Sequence, residues 1–249
     1  MSTFFSDLGK VVRHPSLIGP FVKSCAHKTK ASFLMWRYRN QPEKIVQLGY
    51  NQMAGDYGSW TLAHERPDRG EYTQLIIDKL EKGSSVLELG CGPGEPTTRT
   101  LAEHFNVTAN DISKSCLALA QKAAPNATLI ESDMTSLSFD ADSFDAVVAF
   151  YSFHHVPRDR YQPLLNDIAK WLRPGGIFVS AMYPYDIDNL VTTEGWHGST
   201  MYWSSFDEDK TLELIRDAGL NVVSTALETA VEKDKETTFL WVVAERPED

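Results

Sequence analysis

Short apolar runs alternate with segments of helical periodicity from Ser85 to about Ala181. The run Ala146–Phe150 is unbroken, which is typical of a strand buried on both faces. This alternation predicts a parallel sheet with helices on both faces, an α/β fold. One predicted strand begins at Val86, and others cover Asn106–Ala109, Ala146–Phe150 and Ile177–Ser180. Predicted helices cover Glu71–Leu80, Thr97–Ala102, Lys114–Ala123 and Tyr161–Leu172.

The C-terminal third predicts a helix over Asp207–Gly219 and two closing strands, Leu220–Ala226 and Thr237–Ala244. The polar stretch Glu228–Glu236 suits a connection between those strands. Pro184–Phe206 has no clear period and is rich in Tyr, Trp, Gly and Thr. Long irregular stretches in compact domains are usually functional, so we expect this segment to have a functional role.

The N-terminal segment differs chemically from the remainder. Residues 1–44 hold eight basic and two acidic residues (net +6), whereas the remainder holds sixteen and thirty-two (net −16). Its apolar positions recur at helical spacing, which predicts an amphipathic arm over 1–46 before a domain over 47–249. The favoured interpretation is an arm that packs on the acidic domain or closes its cleft. The alternative is peripheral contact of residues 1–44 with an anionic membrane surface.

Composition narrows the function further. The net charge of −10 disfavours a nucleic acid as the main partner. No apolar run approaches the ~18–20 residues of a membrane-spanning helix. Cys25, Cys91 and Cys116 lack metal or disulfide spacing, so we expect no metal and a reducing, cytoplasmic location.

A glycine turn follows the first predicted strand, in the sequence S-V-L-E-L-G-C-G-P-G-E-P-T from Ser85 to Thr97. Strand, glycine turn and helix together bring backbone N–H groups against a ligand. A dinucleotide-binding G-x-G-x-x-G motif would have its last glycine where Glu95 stands. Asp111 follows Gly90 by 21 residues, near the spacing of an acid that binds a ribose diol. The alternative role for Asp111 is a helix cap, although Ser113 suits that role as well.

The pattern E-x-G-x-G-x-G, beginning at Glu88, resembles motif I of the S-adenosylmethionine-dependent methyltransferases of the Rossmann-like class. Tyr50–Trp60 is similar to the Y-D-x-x-A-x-x-Y-D-x-W segment that covers the cofactor in many of them, with Asn51 and Gly58 replacing the two aspartates. Ala127–Met134 resembles the third strand of the family, and Leu172–Gly176 its L-R-P-G-G turn. On these motifs the chain is identified as a member of the UbiE/COQ5-like small-molecule branch.

That resemblance implies a doubly wound, seven-stranded, mostly parallel sheet with one antiparallel edge strand. It implies S-adenosylmethionine as cofactor, with the acid at 111 on the ribose and the residues at 133 and 134 on the adenine. The implied cofactor-binding residues are Tyr50, Tyr57, Glu88, Gly90, Cys91, Gly92, Gly94, Asp111, Ile112, Asp133, Met134 and Phe150.

His154 is the leading candidate for a general base, since it follows the fourth strand at the ligand end of a parallel sheet. His155 is adjacent, and a shift of one residue would exchange the two. Either could instead be a structural histidine bonded to a backbone carbonyl. Aromatic walls for a small acceptor are predicted from Tyr151, Tyr183, Trp196, His197, Tyr202 and Trp203.

The acceptor atom (O, N, S or C) and the oligomeric state stay open. Three other functions also stay open: a non-methylating reaction that uses the same cofactor, a nicotinamide-dependent oxidoreductase, and a non-catalytic binding module. Glu95 speaks against the oxidoreductase, because its carboxylate would face a pyrophosphate.

Overall fold

A seven-stranded sheet of order β3-β2-β1-β4-β5-β9-β8 organises the chain. The computed structural model describes residues 32–34, 36–64, 66–232 and 235–248. The strands are β1 (Ser85–Leu89), β2 (Asn106–Asp111), β3 (Thr128–Glu131), β4 (Phe144–Phe150), β5 (Leu172–Met182), β6 (Ile187–Trp196), β7 (Ser199–Ser205), β8 (Asn221–Glu232) and β9 (Lys235–Glu245). The helices are α1 (Pro42–Ala63), α2 (Pro67–Lys79), α3 (Thr97–Ala102), α4 (Lys114–Ala123), α5 (Arg158–Trp171) and α6 (Glu208–Asp217).

The sheet reverses its winding between β1 and β4. β1 pairs in parallel with β2 on one side and with β4 on the other, and β5 continues in parallel beyond β4. Open α/β sheets bind ligands outside the carboxyl ends of the strands at such a reversal. The predicted fold class, a mostly parallel seven-stranded α/β sheet, is confirmed.

The two faces of the sheet bury alternate residues of the central strands. Val147 and Ala149 of β4 belong to one core cluster, which includes Leu165 and Trp171 of α5. Val148, between them, belongs to the cluster on the opposite face. A strand that is covered on both sides has no face for polar residues, which explains the unbroken apolar run of β4.

Helix α1 and the hairpin β6–β7 form a roof over one end of the sheet. Ile45 and Met53 of α1 are buried against Met201 and Tyr202 of the hairpin. A β-carbon at Gly49 would lie 2.7 Å from the carbonyl oxygen of residue 200, so only glycine permits this approach. No helix in the described ranges is long and apolar enough to cross a membrane.

Three expectations for the C-terminal half are corrected. Residues 184–206 are not irregular, because most of them form the antiparallel hairpin β6–β7. β8 and β9 continue through 228–232 and 235–236, so their connection is shorter than predicted. The antiparallel strand β9 lies between β5 and β8 rather than at the edge of the sheet. An antiparallel strand can carry polar residues on its exposed face. The polar residues of these segments therefore did not indicate strands in the sequence.

The predicted boundary after residue 46 falls inside α1, which begins at Pro42. Residues 1–31 of the predicted N-terminal arm lie outside the described residues. The arm's proposed contacts, with the domain or with a membrane, therefore stay predictions.

We expect Leu165→Ala to lower the free energy of unfolding by about 2–5 kcal/mol, because the truncation leaves a cavity in the core. Leu165 is fully buried in α5. The matched control is Leu62→Ala in α1, where the side chain is 63% exposed, and we expect a change within about 0.5 kcal/mol. Urea unfolding of both variants measures the difference. Equal losses would contradict the placement of α5 against the sheet.

Candidate functional site

A cleft opens at the carboxyl ends of β1, β2 and β4, beneath α1. Its empty volume is about 650 Å³, including solvent at the mouth. Nine predicted cofactor residues line it: Tyr50, Tyr57, Gly90, Gly92, Asp111, Ile112, Asp133, Met134 and Phe150. Glu88, Cys91 and Gly94 are not among its lining residues. Lining residues that sequence reasoning missed are Glu43, Val46, Asn110, Ser152, Val156 and Pro157.

The glycine turn brings bare backbone to the floor of this cleft. Gly90 has a φ of +75°, and a β-carbon there would lie 2.4 Å from Cβ of Ser152. Gly92 has a φ of +57°. The N–H groups of Gly90 and Cys91 both donate to the carbonyl oxygen of Asn110, at 2.8 and 2.9 Å. These bonds fasten the turn to the end of β2.

Asp111 completes this attachment. Its Oδ2 accepts a hydrogen bond from the Gly92 N–H at 2.8 Å, and its Oδ1 accepts one from the Ser113 N–H at 2.7 Å. Burial raises the pKa of Asp111 to about 6. Each oxygen keeps capacity for a further donor. The side chain that caps α4 is that of Ser113, whose Oγ accepts from the Cys116 N–H, so Asp111 is not needed as the cap.

Glu88 lies at the end of β1, buried outside the cleft. Its Oε2 has no hydrogen-bond partner in the described part of the chain. Burial raises the pKa of Glu88 to about 7, while the positive charge of Arg69 acts in the opposite direction. The carboxyl group is therefore poised between its neutral and charged forms near neutral pH.

Asp133 serves a turn that follows β3. Its carboxylate accepts from the N–H and the hydroxyl of Thr135 and pairs with Arg160 at 3.1 Å. This caps a 3₁₀ turn over Met134–Ser136. Both Asp133 and Met134 still line the cleft, so the structural and ligand-binding roles are compatible.

Polar contacts hold the roof over the cleft. Asn51 of α1 accepts from the Ser113 hydroxyl at 2.8 Å and the Ser115 N–H at 3.1 Å. An amide oxygen thus serves as acceptor where the family pattern has an aspartate. Gly58, at the second departure from that pattern, lies against Pro93 and Leu119, where a larger side chain would be crowded.

His155 has a fixed hydrogen-bonding arrangement. Its Nδ1 lies 2.7 Å from the carbonyl oxygen of Tyr202, and its Nε2 lies 2.9 Å from the Tyr50 hydroxyl. Because a carbonyl only accepts, Nδ1 carries the proton and Nε2 accepts from Tyr50. Burial lowers the pKa of His155 to about 4, so its ring is neutral at pH 7. His155 thus has the backbone-carbonyl bond that the structural interpretation predicted.

A second cavity adjoins the cleft, with an empty volume of about 350 Å³ that includes open solvent, and shares three lining residues with it, Tyr50, Tyr57 and Tyr151. We call it the aromatic cavity. Its other lining residues are Trp60, Arg69, His154, Tyr183, Trp196, Trp203 and Phe239. Four predicted acceptor-wall residues, Tyr151, Tyr183, Trp196 and Trp203, therefore come together here. Trp60 lay in the quoted Tyr50–Trp60 segment, but Arg69 and Phe239 are brought in by the fold without a motif.

The prediction that Tyr202 and His197 line the acceptor pocket is wrong, since neither lines the aromatic cavity or the cleft. Tyr202 is buried in the roof, and its hydroxyl donates to Asn189 at 2.8 Å. Strand alternation turns it away from the cavity that its neighbour Trp203 lines.

His154 lies on the aromatic cavity with its ring against Tyr183, at a centroid distance of 4.3 Å. Its Nδ1 has no hydrogen-bond partner among the described residues. Burial, aided by the neighbouring His155, lowers the pKa of His154 well below its usual value. A neutral imidazole ring has one acceptor nitrogen and one N–H donor.

Tyr151 lines both cavities. It follows β4 with a φ of +55°, a left-handed conformation that is costly for a non-glycine residue. Its hydroxyl donates to Asp68 at 2.9 Å, and the guanidinium groups of Arg66 and Arg69 lie 4.6 and 4.7 Å from its ring centroid. These contacts hold the ring in place.

The cleft fits an adenosyl cofactor. The glycine turn leaves room that a β-carbon would fill, Asp111 has free acceptor capacity, and the buried Oδ1 of Asn110 has no partner in the described ranges. Together they offer a nucleoside several polar partners on a mostly apolar floor.

A family of methyltransferase domains matches residues 86–176. An uncharacterized methyltransferase of Synechocystis sp. is 29% identical over 109 residues, which are 43% of this chain and 51% of that protein. The 2-methyl-6-phytyl-1,4-hydroquinone methyltransferase of the same organism is 32% identical over 130 residues, covering 50% of this chain and 40% of that protein. The chain thus spans about half the length of the first curated relatives that it matches.

Among solved structures, the 1,6-didemethyltoxoflavin-N1-methyltransferase of Burkholderia thailandensis has a TM-score of 0.57 at 20% identity. The match covers 79% of this chain and 88% of that one, which was solved with bound 1,6-didemethyltoxoflavin and S-adenosylhomocysteine. At that identity the likeness shows the fold. Residues 86–176 therefore match a family of methyltransferase domains, and the sheet has the fold of a solved methyltransferase that binds S-adenosylhomocysteine.

Proposed function

We propose that this protein transfers a methyl group from S-adenosylmethionine to a small aromatic or apolar acceptor held in the aromatic cavity. The observation that carries the proposal is the adjacency of two cavities, one floored by the glycine turn and one walled by aromatic rings. They share Tyr50, Tyr57 and Tyr151. A donor in the first would meet an acceptor in the second at this shared wall.

The cofactor supplies, when bound, an electrophilic methyl group on a sulfonium sulfur. Direct displacement depends chiefly on alignment, so the task of the protein is to fix donor and acceptor. We assign Asp111 to the ribose hydroxyls and the pair Asp133 and Met134 to the adenine. Tyr50 is fixed by its bond to His155, which suits it for excluding water above the sulfonium centre.

We assign the base to His154 rather than to His155. The Nε2 of His155 already accepts from Tyr50 and its Nδ1 donates to a carbonyl. His154 is neutral, faces the aromatic cavity and has an unpartnered Nδ1. It can therefore accept a proton from an acceptor hydroxyl, amine or acidic carbon in that cavity.

The small-molecule acceptor accords with the relatives, since the Synechocystis hydroquinone methyltransferase and the toxoflavin N1-methyltransferase are named for small-molecule acceptors. Membership of the UbiE/COQ5-like branch, cytoplasmic location and membrane contact through residues 1–44 remain predictions. The non-methylating reaction and the nicotinamide-dependent reaction are the alternatives, and no contact in either cavity favours them.

An acceptor screen with radiolabelled S-adenosylmethionine tests the proposal directly. We expect label to pass to planar aromatic or apolar acceptors and not to polynucleotides. Label transfer to none of the small molecules, with S-adenosylhomocysteine still bound, would instead support a non-methylating role.

We expect His154→Gln to lower kcat about 10²-fold or more, the contribution of a positioned base, without changing the dissociation constant of S-adenosylhomocysteine. Glutamine preserves hydrogen bonding and much of the volume. The control is His104→Gln, outside both cavities, which should keep full activity. Steady-state kinetics and calorimetry provide the two readouts, and an unchanged kcat would remove His154 as the base.

Binding of S-adenosylhomocysteine should weaken as the pH falls through about 6, the value to which burial raises the pKa of Asp111. Above that pH the carboxylate is charged and accepts strong hydrogen bonds from ribose hydroxyls, whereas below it the neutral acid accepts weaker ones. Asp111→Asn should bind about tenfold more weakly at pH 7.5 and lose this dependence. Titration calorimetry from pH 5 to 8 measures both effects.

The control for Asp111→Asn is Asp140→Asn, an exposed residue outside the cleft, which should retain the wild-type profile. If binding of S-adenosylhomocysteine by Asp111→Asn still changes near pH 7, the titrating group is Glu88, whose pKa is about 7. Unaltered binding by Asp111→Asn would leave Asp111 with its structural role alone.

A further inference from the structure

The aromatic cavity contains a buried arginine that has no counterion among the described residues. Arg69 of α2 is 8% exposed and lines this cavity. Its Nε has no acceptor, and its guanidinium forms no ion pair with the described part of the chain. A buried charge is costly unless it is paired, so this guanidinium is ready to receive an anion.

The carboxylate nearest to Arg69 in sequence is already occupied. Asp68 accepts from Arg66 through Nε at 3.2 Å and Nη2 at 2.9 Å. It also accepts from the Tyr151 hydroxyl at 2.9 Å and the Trp241 indole N–H at 3.0 Å. Four donors thus already bond to this one carboxylate, and Arg69 is not among them.

The rest of the lining of the aromatic cavity carries no formal charge at neutral pH. It consists of aromatic side chains and His154, whose ring is neutral. Glu88 is influenced by the charge of Arg69 but makes no ion pair with it and lies outside both cavities. The cavity therefore combines flat apolar walls with one positive charge. Guanidinium groups bind carboxylates in a bidentate, planar arrangement, which suits a planar ligand.

Resting on the proposed function and narrowing its substrate class, we propose that the acceptor is a planar aromatic acid whose carboxylate pairs with Arg69. The rings of Tyr183 and Trp203 then contact the faces of the acceptor. Arg69 is an anion anchor that sets orientation, while His154 contacts the group that receives the methyl. The alternative partner for Arg69 is the carboxylate on the methionine part of the cofactor. Arg69 lines the aromatic cavity and not the cofactor cleft, which favours the acceptor.

Matched acid and amide probes test the anchor without requiring methyl transfer. The probes are benzoate against benzamide and naphthoate against naphthamide, titrated into the full-length protein saturated with S-adenosylhomocysteine. Quenching of tryptophan fluorescence reports binding, because Trp60, Trp196 and Trp203 line the cavity. In at least one pair we expect the acid to bind tenfold or more tightly than its amide.

Arg69→Met should abolish the preference for the acid, and Arg69→Lys should retain part of it. Arg216→Met, at an exposed position of α6, should leave it unchanged. Circular dichroism and thermal melting check folding, and Arg69→Gln replaces the methionine variant if that variant does not fold. Binding of S-adenosylhomocysteine should change by less than threefold in each variant.

Two outcomes would overturn the anchor: no acid preference in either pair for the wild-type protein, or a preference that survives in folded Arg69→Met. A loss of S-adenosylhomocysteine affinity of tenfold or more in Arg69→Met, without a wild-type acid preference, would assign Arg69 to the cofactor's carboxylate instead. If the acid preference is present but no aromatic acid accepts a methyl group, the anchor stands and the proposed reaction fails.

Discussion

The carboxylate of Asp111 joins the two strand ends that form the floor of the cleft. β1 and β2 are parallel neighbours, yet the chain must leave β1 through a turn of bare backbone for a ligand to approach. Such a turn has few contacts of its own. The adjacent strand supplies them: the N–H groups of Gly92 and Ser113 donate to the carboxylate, and those of Gly90 and Cys91 donate to the carbonyl of Asn110. The shape of the floor thus depends on one buried acid, whose pKa is raised by burial although the N–H groups that it accepts from act in the opposite direction.

The roof depends on a comparable connection between distant parts of the chain. Tyr50 on α1 donates to His155, and His155 donates to the backbone of β7. One imidazole therefore joins the helix, the turn after β4 and the hairpin β6–β7. This fixed geometry holds Tyr50 where the cleft and the aromatic cavity adjoin, since its ring lines both.

Sequence patterns predicted the parts of the fold in which local signals and burial agree. The bounds of Thr97–Ala102 and Lys114–Ala123 are the predicted ones, because each helix follows a turn and has an amphipathic or buried face. The hairpin β6–β7 escaped prediction since its aromatic residues share their faces with polar ones, so neither the strand period nor an apolar run stands out. Arg69 and Phe239 carried no motif, because they join the aromatic cavity only through packing between elements far apart in the chain.

The two adjacent histidines illustrate what spacing alone cannot decide. They lie in a 3₁₀ turn over Phe153–His155, in which successive side chains project about 120° apart. The two rings therefore point in different directions: His155 lines the cleft and His154 lines the aromatic cavity. A neutral, buried ring such as His154 is a weak base, because the low dielectric that keeps it neutral also opposes its protonation. Proton transfer to it therefore costs less from an acidic group such as a phenol than from an aliphatic alcohol. If His154 is the base, as we propose, its position in one cavity with Arg69, which forms no ion pair with the described residues, suits acidic aromatic acceptors better than aliphatic alcohols.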